Sequence, residues 1–173
     1  MILGLDISTS ITGYTILDND GNIIVCDHID LRKEKNFFQK CSIVEARLAT
    51  IRNEYFIERI YVEQSLQSFR SGFSSAQTLS LLSKINGIVS WICYNLFGIE
   101  PEYIAATSAR KLCGIKVPKG KKAKDVALQF VVDNVPSFAV QYTRYGNPKA
   151  GYADRSDSYV IAKAGLIRES KEA

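Results

Sequence analysis

The first seven residues, Met1-Ile-Leu-Gly-Leu-Asp-Ile7, are apolar apart from one acid, and the polar stretch Ser8-Thr9-Ser10 follows at once. A run this short does not sustain a helix, so it reads as a strand that ends in a turn. Gly13 to Leu17 resumes as a second strand. Asn19-Asp20-Gly21-Asn22 is a hairpin signal, because Asp-Gly suits left-handed turn conformations, and Ile23 to Cys26 continues as a third strand. The chain therefore opens as an antiparallel meander.

From about Phe37 to Phe56 the period changes. Phe37, Cys41, Val44, Leu48 and Ile51 recur at helical intervals with charged residues between them, which predicts one amphipathic helix. Ile57 to Glu63 returns to strand character, so the helix is a crossover that brings this strand into the sheet of the first. Ser65 to Ser75 reads as a loop or a loosely wound helix start. Ala76 to Phe97 is a long helix whose apolar face, Leu79, Leu82, Ile85, Val89, Ile92 and Leu96 widened by Leu81, Ile88 and Trp91, is broad enough to be covered on two sides, by the sheet and by a second subunit.

Pro101 to Ala105 predicts a short strand, and Thr107-Ser-Ala-Arg110 a capped helix start. A basic loop then feeds a helix from about Lys122 to Val135. Pro136 to Gly151, with Tyr142, Tyr145, Gly146 and Pro148, reads as irregular, and a last helix runs from about Tyr152 to Ile167. No repeat or interdomain linker interrupts this order, which predicts a single α/β domain over residues 1–173: a mixed sheet with an antiparallel N-terminal meander and flanking helices.

Composition narrows the classes. A chain that is 46% hydrophobic and 23% charged, with only 4 Pro and 11 Gly among 173 residues, is neither disordered nor low-complexity. No stretch reaches the apolar length of a membrane span, and Cys26, Cys41, Cys93 and Cys113 form no C-x-x-C pair, which points to reduced thiols in a cytoplasmic protein rather than a thiolate metal cluster. His28, the single histidine, reads as structural.

Charge is distributed unevenly. Residues 1–60 hold 7 basic and 9 acidic side chains, whereas Gln64 to Arg155 holds 12 basic and 5 acidic. Arg110, Lys111, Lys116, Lys119, Lys121, Lys122 and Lys124 crowd one segment without an acid between them. A phosphate backbone is a reason to concentrate cations so.

Against that basic half stand four acids placed at element ends. Asp6 and Glu63 close two strands of the same sheet, and Asp154 and Asp157, three apart, share a face of the last helix. Four carboxylates around one small volume repel each other unless cations intervene. Hard divalent ions such as magnesium resolve the conflict, and two of them about 4 Å apart can activate a water and stabilise a leaving oxygen in phosphodiester hydrolysis.

Asp6-Ile-Ser-Thr-Ser-Ile-Thr-Gly13, Val62-Glu63-Gln64 and Asp154-Arg-Ser-Asp157-Ser-Tyr-Val-Ile-Ala162, in this order and spacing, resemble the RuvC family of Holliday junction resolvases, which have an RNase H-like fold. The resemblance spans nearly the whole chain. It implies a homodimeric, magnesium-dependent endonuclease, with manganese as a substitute ion, that nicks four-way DNA junctions symmetrically. It assigns Asp6, Glu63, Asp154 and Asp157 as catalytic and metal-binding acids. Phe69 lies near the part that in relatives enters the junction centre, with Phe73 an equally plausible wedge; Phe69, Arg70 and Phe73 are expected DNA contacts, Lys119, Lys121, Lys122 and Lys124 are the expected DNA-backbone contacts, and Lys122 or Lys124 corresponds to a family lysine near the scissile phosphate. Divergent members are often encoded by phages and other viruses, which would place the protein in a host cytoplasm. The rivals are an RNase H-like nuclease acting on RNA–DNA hybrids, flaps or other branches, and a junction-binding protein without catalysis. A two-lobed sugar-kinase-like phosphate site does not fit in 173 residues.

Overall fold

The computed structural model describes residues 1–65 and 75–173. Phe69, Arg70 and Phe73 lie outside the described residues. In chain order the elements are β1 (Ile2–Asp6), β2 (Ile11–Leu17), β3 (Ile23–Asp30), α1 (Phe37–Glu54), β4 (Arg59–Glu63), α2 (Ala76–Phe97), β5 (Glu102–Ile104), α3 (Ala106–Leu112), α4 (Ala123–Asn134) and α5 (Tyr152–Glu172). The sheet order is β3-β2-β1-β4-β5. β1 to β3 form the expected meander, while β4 joins β1 in parallel and β5 joins β4 in parallel, each after a helical crossover.

Alternation along β1 separates two layers. Leu3 and Leu5, with Tyr14, Ile16 and Val62, face Cys41, Val44 and Leu48 of α1 and Ile85, Val89 and Ile92 of α2. Ile2 points the other way, with Tyr61 and Ile104, onto Ala109 of α3, Leu128 and Val131 of α4 and Ile161 and Ala164 of α5. Asp6 belongs to the parity of Ile2, and Glu63 to that of Tyr61. The period of two thus sends both acids to the α5 side.

Helix α5 lies unusually close to the sheet. A Cβ on Gly4 would stand 2.5 Å from the Ser158 carbonyl oxygen, one on Gly13 would stand 2.0 Å from that of Asp154, and one on Gly165 would enter the Tyr61 ring at 2.3 Å. Only bare backbone admits this approach. It is held by the hydroxyls of Thr15 and Ser158, 2.8 Å apart in the buried seam.

Several boundaries differ from those predicted. β3 continues to Asp30 rather than Cys26, because pairing with β2 runs on to Ile11↔Asp30 and an edge strand tolerates polar residues such as Asp27 and His28. α3 begins at Ala106 behind an N-cap, Ala105, that has no side-chain bond, so Thr107 falls inside its first turn. α5 reaches Glu172 instead of about Ile167: Glu169 pairs with Arg59 and accepts from the Tyr61 hydroxyl, and Arg168 pairs with Glu102, so the added turn is tied to β4 and β5. The hairpin turn after β2 forms as read, with Asp18 Oδ1 accepting from the amides of Asp20 and Asn22. Among the described residues no helix is long and apolar enough to cross a membrane.

Because both neighbours of Gly13 at the contact are backbone atoms, Gly13→Ala forces α5 outward. The expected cost is about 1–3 kcal/mol of unfolding free energy, the range for overpacking, read by denaturant unfolding; an unchanged midpoint would show that α5 is not tightly seated.

Candidate metal centre

Asp6 is the last residue of β1 and faces Gly13 across the ladder. The turn between them is locked by its own hydroxyls: Ser8 Oγ accepts from the Ile11 amide at 3.1 Å and donates to the Ile11 carbonyl at 2.9 Å, and Thr12 Oγ1 donates to the Ser8 carbonyl at 3.1 Å. The polar run read from the sequence is thus a rigid bend that fixes where β1 ends. Glu63 closes β4, whose last carbonyl accepts from Asn86 Nδ2 of α2 at 3.1 Å, while the following amide, Gln64, bonds Ile104. Asn86 is buried in an apolar helix face and gave no signal in the pattern, apart from being polar where the stripe should be apolar.

Helix α5 supplies the third wall. Asp157 is only 7% exposed and Asp6 only 8%. Oxygens from Asp6, Glu63 and Asp157 all lie within 4.8 Å of one another. Asp154, one turn earlier on the same face, joins them through a lysine: Lys124 Nζ lies 3.0 Å from Asp154 Oδ1, 3.3 Å from Asp157 Oδ2 and 3.9 Å from Asp6 Oδ2. All four sequence-predicted acids therefore converge. Of the four candidate lysines, Lys124 alone reaches them among the described contacts, from the first turn of α4, whereas Lys119, Lys121 and Lys122 are exposed on the loop before it.

The electrostatics follow from burial. Burial, then the charges of Glu63 and Asp157, hold the Asp6 carboxyl well above the usual carboxylate range. Glu63 is pushed up to about 7, by burial and then by Asp157. Asp157 is raised to about 6, by burial, against the pull of Lys124. Burial works against the Lys124 ammonium, yet Asp6, Asp157 and Asp154 outweigh it and raise its affinity for the proton. Arg110 of α3 adds a second positive field at Glu63 and Asp157. The same arginine lines an open cleft of about 370 Å³ with Thr107, Lys111 and Lys116.

A second cluster sets the start of α5. Arg155 donates from Nε to His28 Nδ1 at 2.8 Å, pairs with Asp27 at 2.6 Å and lies 4.6 Å over the Tyr152 ring. The His28 ring occupies the space that a Cβ on Gly151 would take. Burial, then Arg155, lowers the imidazole's pKa, so the ring accepts from the guanidinium in its neutral form. His28, in the body of β3, has the structural part expected of it.

The donor set fits a hard divalent cation: it is all oxygen, drawn from three separate elements, short of positive charge, and already holding an ammonium among its carboxylates.

No protein-family model and no curated protein sequence matches the chain. Its fold is RNase H-like, of the RuvC type, a mixed five-stranded sheet with helices on both faces. Thermus thermophilus RuvC, solved with a Holliday junction substrate, superposes with a TM-score of 0.69 over 98% of this chain and 94% of that one, at 11% identity. The yeast mitochondrial Holliday junction resolvase Ydc2 gives 0.64 over 98% and 79%, at 14% identity. The fowlpox virus resolvase, solved with Holliday junction DNA, gives 0.51 over 98% and 99%, at 16% identity. All three neighbours are Holliday junction resolvases.

A carboxyl that stays protonated in the folded chain but ionises in the unfolded one makes the folded state bind more protons, so its contribution to stability falls as pH rises. Glu63 should act this way between about 4.5 and about 7. In chelator, wild type is expected to lose thermal stability across that window relative to Glu63→Gln, with the two curves separating as pH increases. Parallel melting curves would mean that Glu63 is not held among like charges.

Proposed function

We propose that residues 1–173 form one nuclease domain, a structure-selective endodeoxyribonuclease that resolves four-way DNA junctions by paired nicks. The observation that carries this is the convergence of Asp6, Glu63 and Asp157 within 4.8 Å, in the field of Lys124 and Arg110. A junction-binding protein without catalysis would keep the cations but has no use for buried acids that repel one another. The neighbours in fold support the choice of a branched substrate over an RNA–DNA hybrid.

Asp6, Glu63 and Asp157, with Asp154 beside them, would hold two magnesium ions, with manganese as a substitute. Bound there, such ions supply an activated water and neutralise charge that develops on the phosphate. The chain's own residues do the rest. The hydroxyl-locked turn and the seat of α5 keep the acids in place, so that little reorganisation accompanies binding. Lys119, Lys121 and Lys122 would attract and position the backbone, and Lys124, whose ammonium sits among the acids, would meet the scissile phosphate. Water adds at phosphorus and the bond to the 3′ oxygen breaks, leaving a 5′-phosphate and a 3′-hydroxyl. The outer face of α2 supports a homodimer with one site for each opposed strand: Trp91 is 61% exposed, Tyr94 lies beside it on that face, and Gly87 one turn earlier leaves open space.

The test is cleavage of a labelled four-way junction in magnesium, beside linear duplex and RNA–DNA hybrid. Wild type should nick opposed strands of the junction in preference to either control, and Asp6→Asn should fall to background while still binding the junction. Cleavage at a normal rate in Asp6→Asn would remove the site assignment, and preference for the hybrid would move the substrate to RNA. Trp91→Glu should convert a dimer to a monomer in sedimentation; a wild-type monomer would place two-strand cutting on two separate encounters.

A further inference from the structure

Residues 141–149, read from the sequence as irregular, form a compact hairpin. Tyr142 pairs with Pro148, the Thr143 amide donates to the Asn147 carbonyl at 2.8 Å, the Lys149 amide donates to the Gln141 carbonyl at 2.9 Å, and the Gly146 amide donates to the Thr143 carbonyl at 3.0 Å. Gly146 has φ +80°, which closes the three-residue tip in the left-handed conformation that such loops need. The tip is therefore built rather than loose, yet it buries nothing. Tyr145 is 74% exposed and Tyr142 51%. Arg144 lies 4.6 Å over the Tyr145 ring and donates to its hydroxyl.

The surroundings carry one sign of charge. From Asn134 to Ala153 there is no acidic residue, while Arg144 and Lys149 are both basic and exposed. The hairpin is also coupled to the acid cluster: the Lys149 carbonyl accepts from the amide of Tyr152, the first residue of α5, and Asp154 follows two residues later.

We infer that the 141–149 hairpin is a DNA-contacting finger, in which Arg144 binds a backbone phosphate through its planar fork and Tyr145 offers its ring to an unstacked base. This deepens the junction-resolving reading and rests on it for the choice of a branched strand. A guanidinium and a phenol already stacked on each other, on a tip closed by backbone hydrogen bonds, can meet a strand with little side-chain entropy lost. Linear duplex offers the phosphate but no open base. A junction, at its crossover, offers both.

The test measures binding apart from cleavage, by fluorescence anisotropy of labelled four-way junction and labelled linear duplex in chelator, across a salt series. Arg144→Gln should weaken binding to both DNAs and lower the salt slope by about one. Tyr145→Leu should weaken junction binding roughly tenfold while leaving duplex binding nearly unchanged. Gly146→Val keeps both side chains but forbids the tip conformation, and should weaken the junction as much as the two substitutions combined. Wild-type affinity and salt slope in Arg144→Gln and Tyr145→Leu would overturn the finger, as would equal loss on duplex and junction in Tyr145→Leu. Failure of the junction-resolving reading looks different: wild type would bind DNA without cutting the junction in magnesium, and the Arg144 salt slope would still report on the finger.

Discussion

The distance at which α5 meets the sheet decides whether this chain has a site at all. Two of the four acids ride on that helix, and the other two end strands β1 and β4 beneath it. Gly4, Gly13 and Gly165 leave the contact without side chains on one partner or the other, so backbone touches backbone or ring. A Cβ at any of the three would clash at 2.0–2.5 Å with a neighbouring backbone or ring atom, so it could not be added without moving the helix or the sheet. At the far end, the Arg59–Glu169–Tyr61 group holds the last turns to β4, and near the site the His28–Arg155 pair fixes the first turn against β3. The helix is thus pinned at both ends and thin in the middle.

Closeness of that kind is electrostatically unfavourable, and the local charges show how the fold tolerates it. Three carboxyls share a buried corner, and burial together with mutual repulsion disfavours ionisation of Asp6, Glu63 and Asp157. Lys124 offsets part of this with one ammonium spread over Asp154, Asp157 and Asp6. Hydrophobic burial elsewhere, in two layers on either side of the sheet, supplies the stability against which the site is held.

How much of this could be read in the chain depended on the range of the interaction. The strand and helix periods, and the acids at element ends, are local patterns, so Asp6, Glu63, Asp154 and Asp157 were all legible as one constellation. Phase along β1 even predicts which face Asp6 takes, once Leu3 and Leu5 are known to be core. Lys124 was not separable from Lys122 because both flank the same helix start, and one residue of phase in α4 decides which ammonium reaches the acids. The reason for Gly4 and Gly13 lies in a helix about 150 residues away in the chain, which no local pattern displays. The hairpin at 141–149 escaped because it has no apolar alternation: a single bridge and three backbone bonds build it, with Gly146 as the only local sign.

The division of labour between the halves of the chain follows from the same geometry. Asp6 and Glu63 end strands that the core holds rigid, and Asp154 and Asp157 ride on α5; Lys124 lies in the first turn of α4, Arg110 in the last turn of α3, and Arg144 and Lys149 on the loop before α5, all within the basic stretch. Mutual attraction of the two halves would close the site if acids and bases were matched in number, but one lysine faces three carboxylates. The charge left unbalanced lies among carboxylate oxygens of Asp6, Glu63 and Asp157, the kind of donor set a hard divalent cation would fit. The positive surplus outside remains available to the strand that such a cation would act upon.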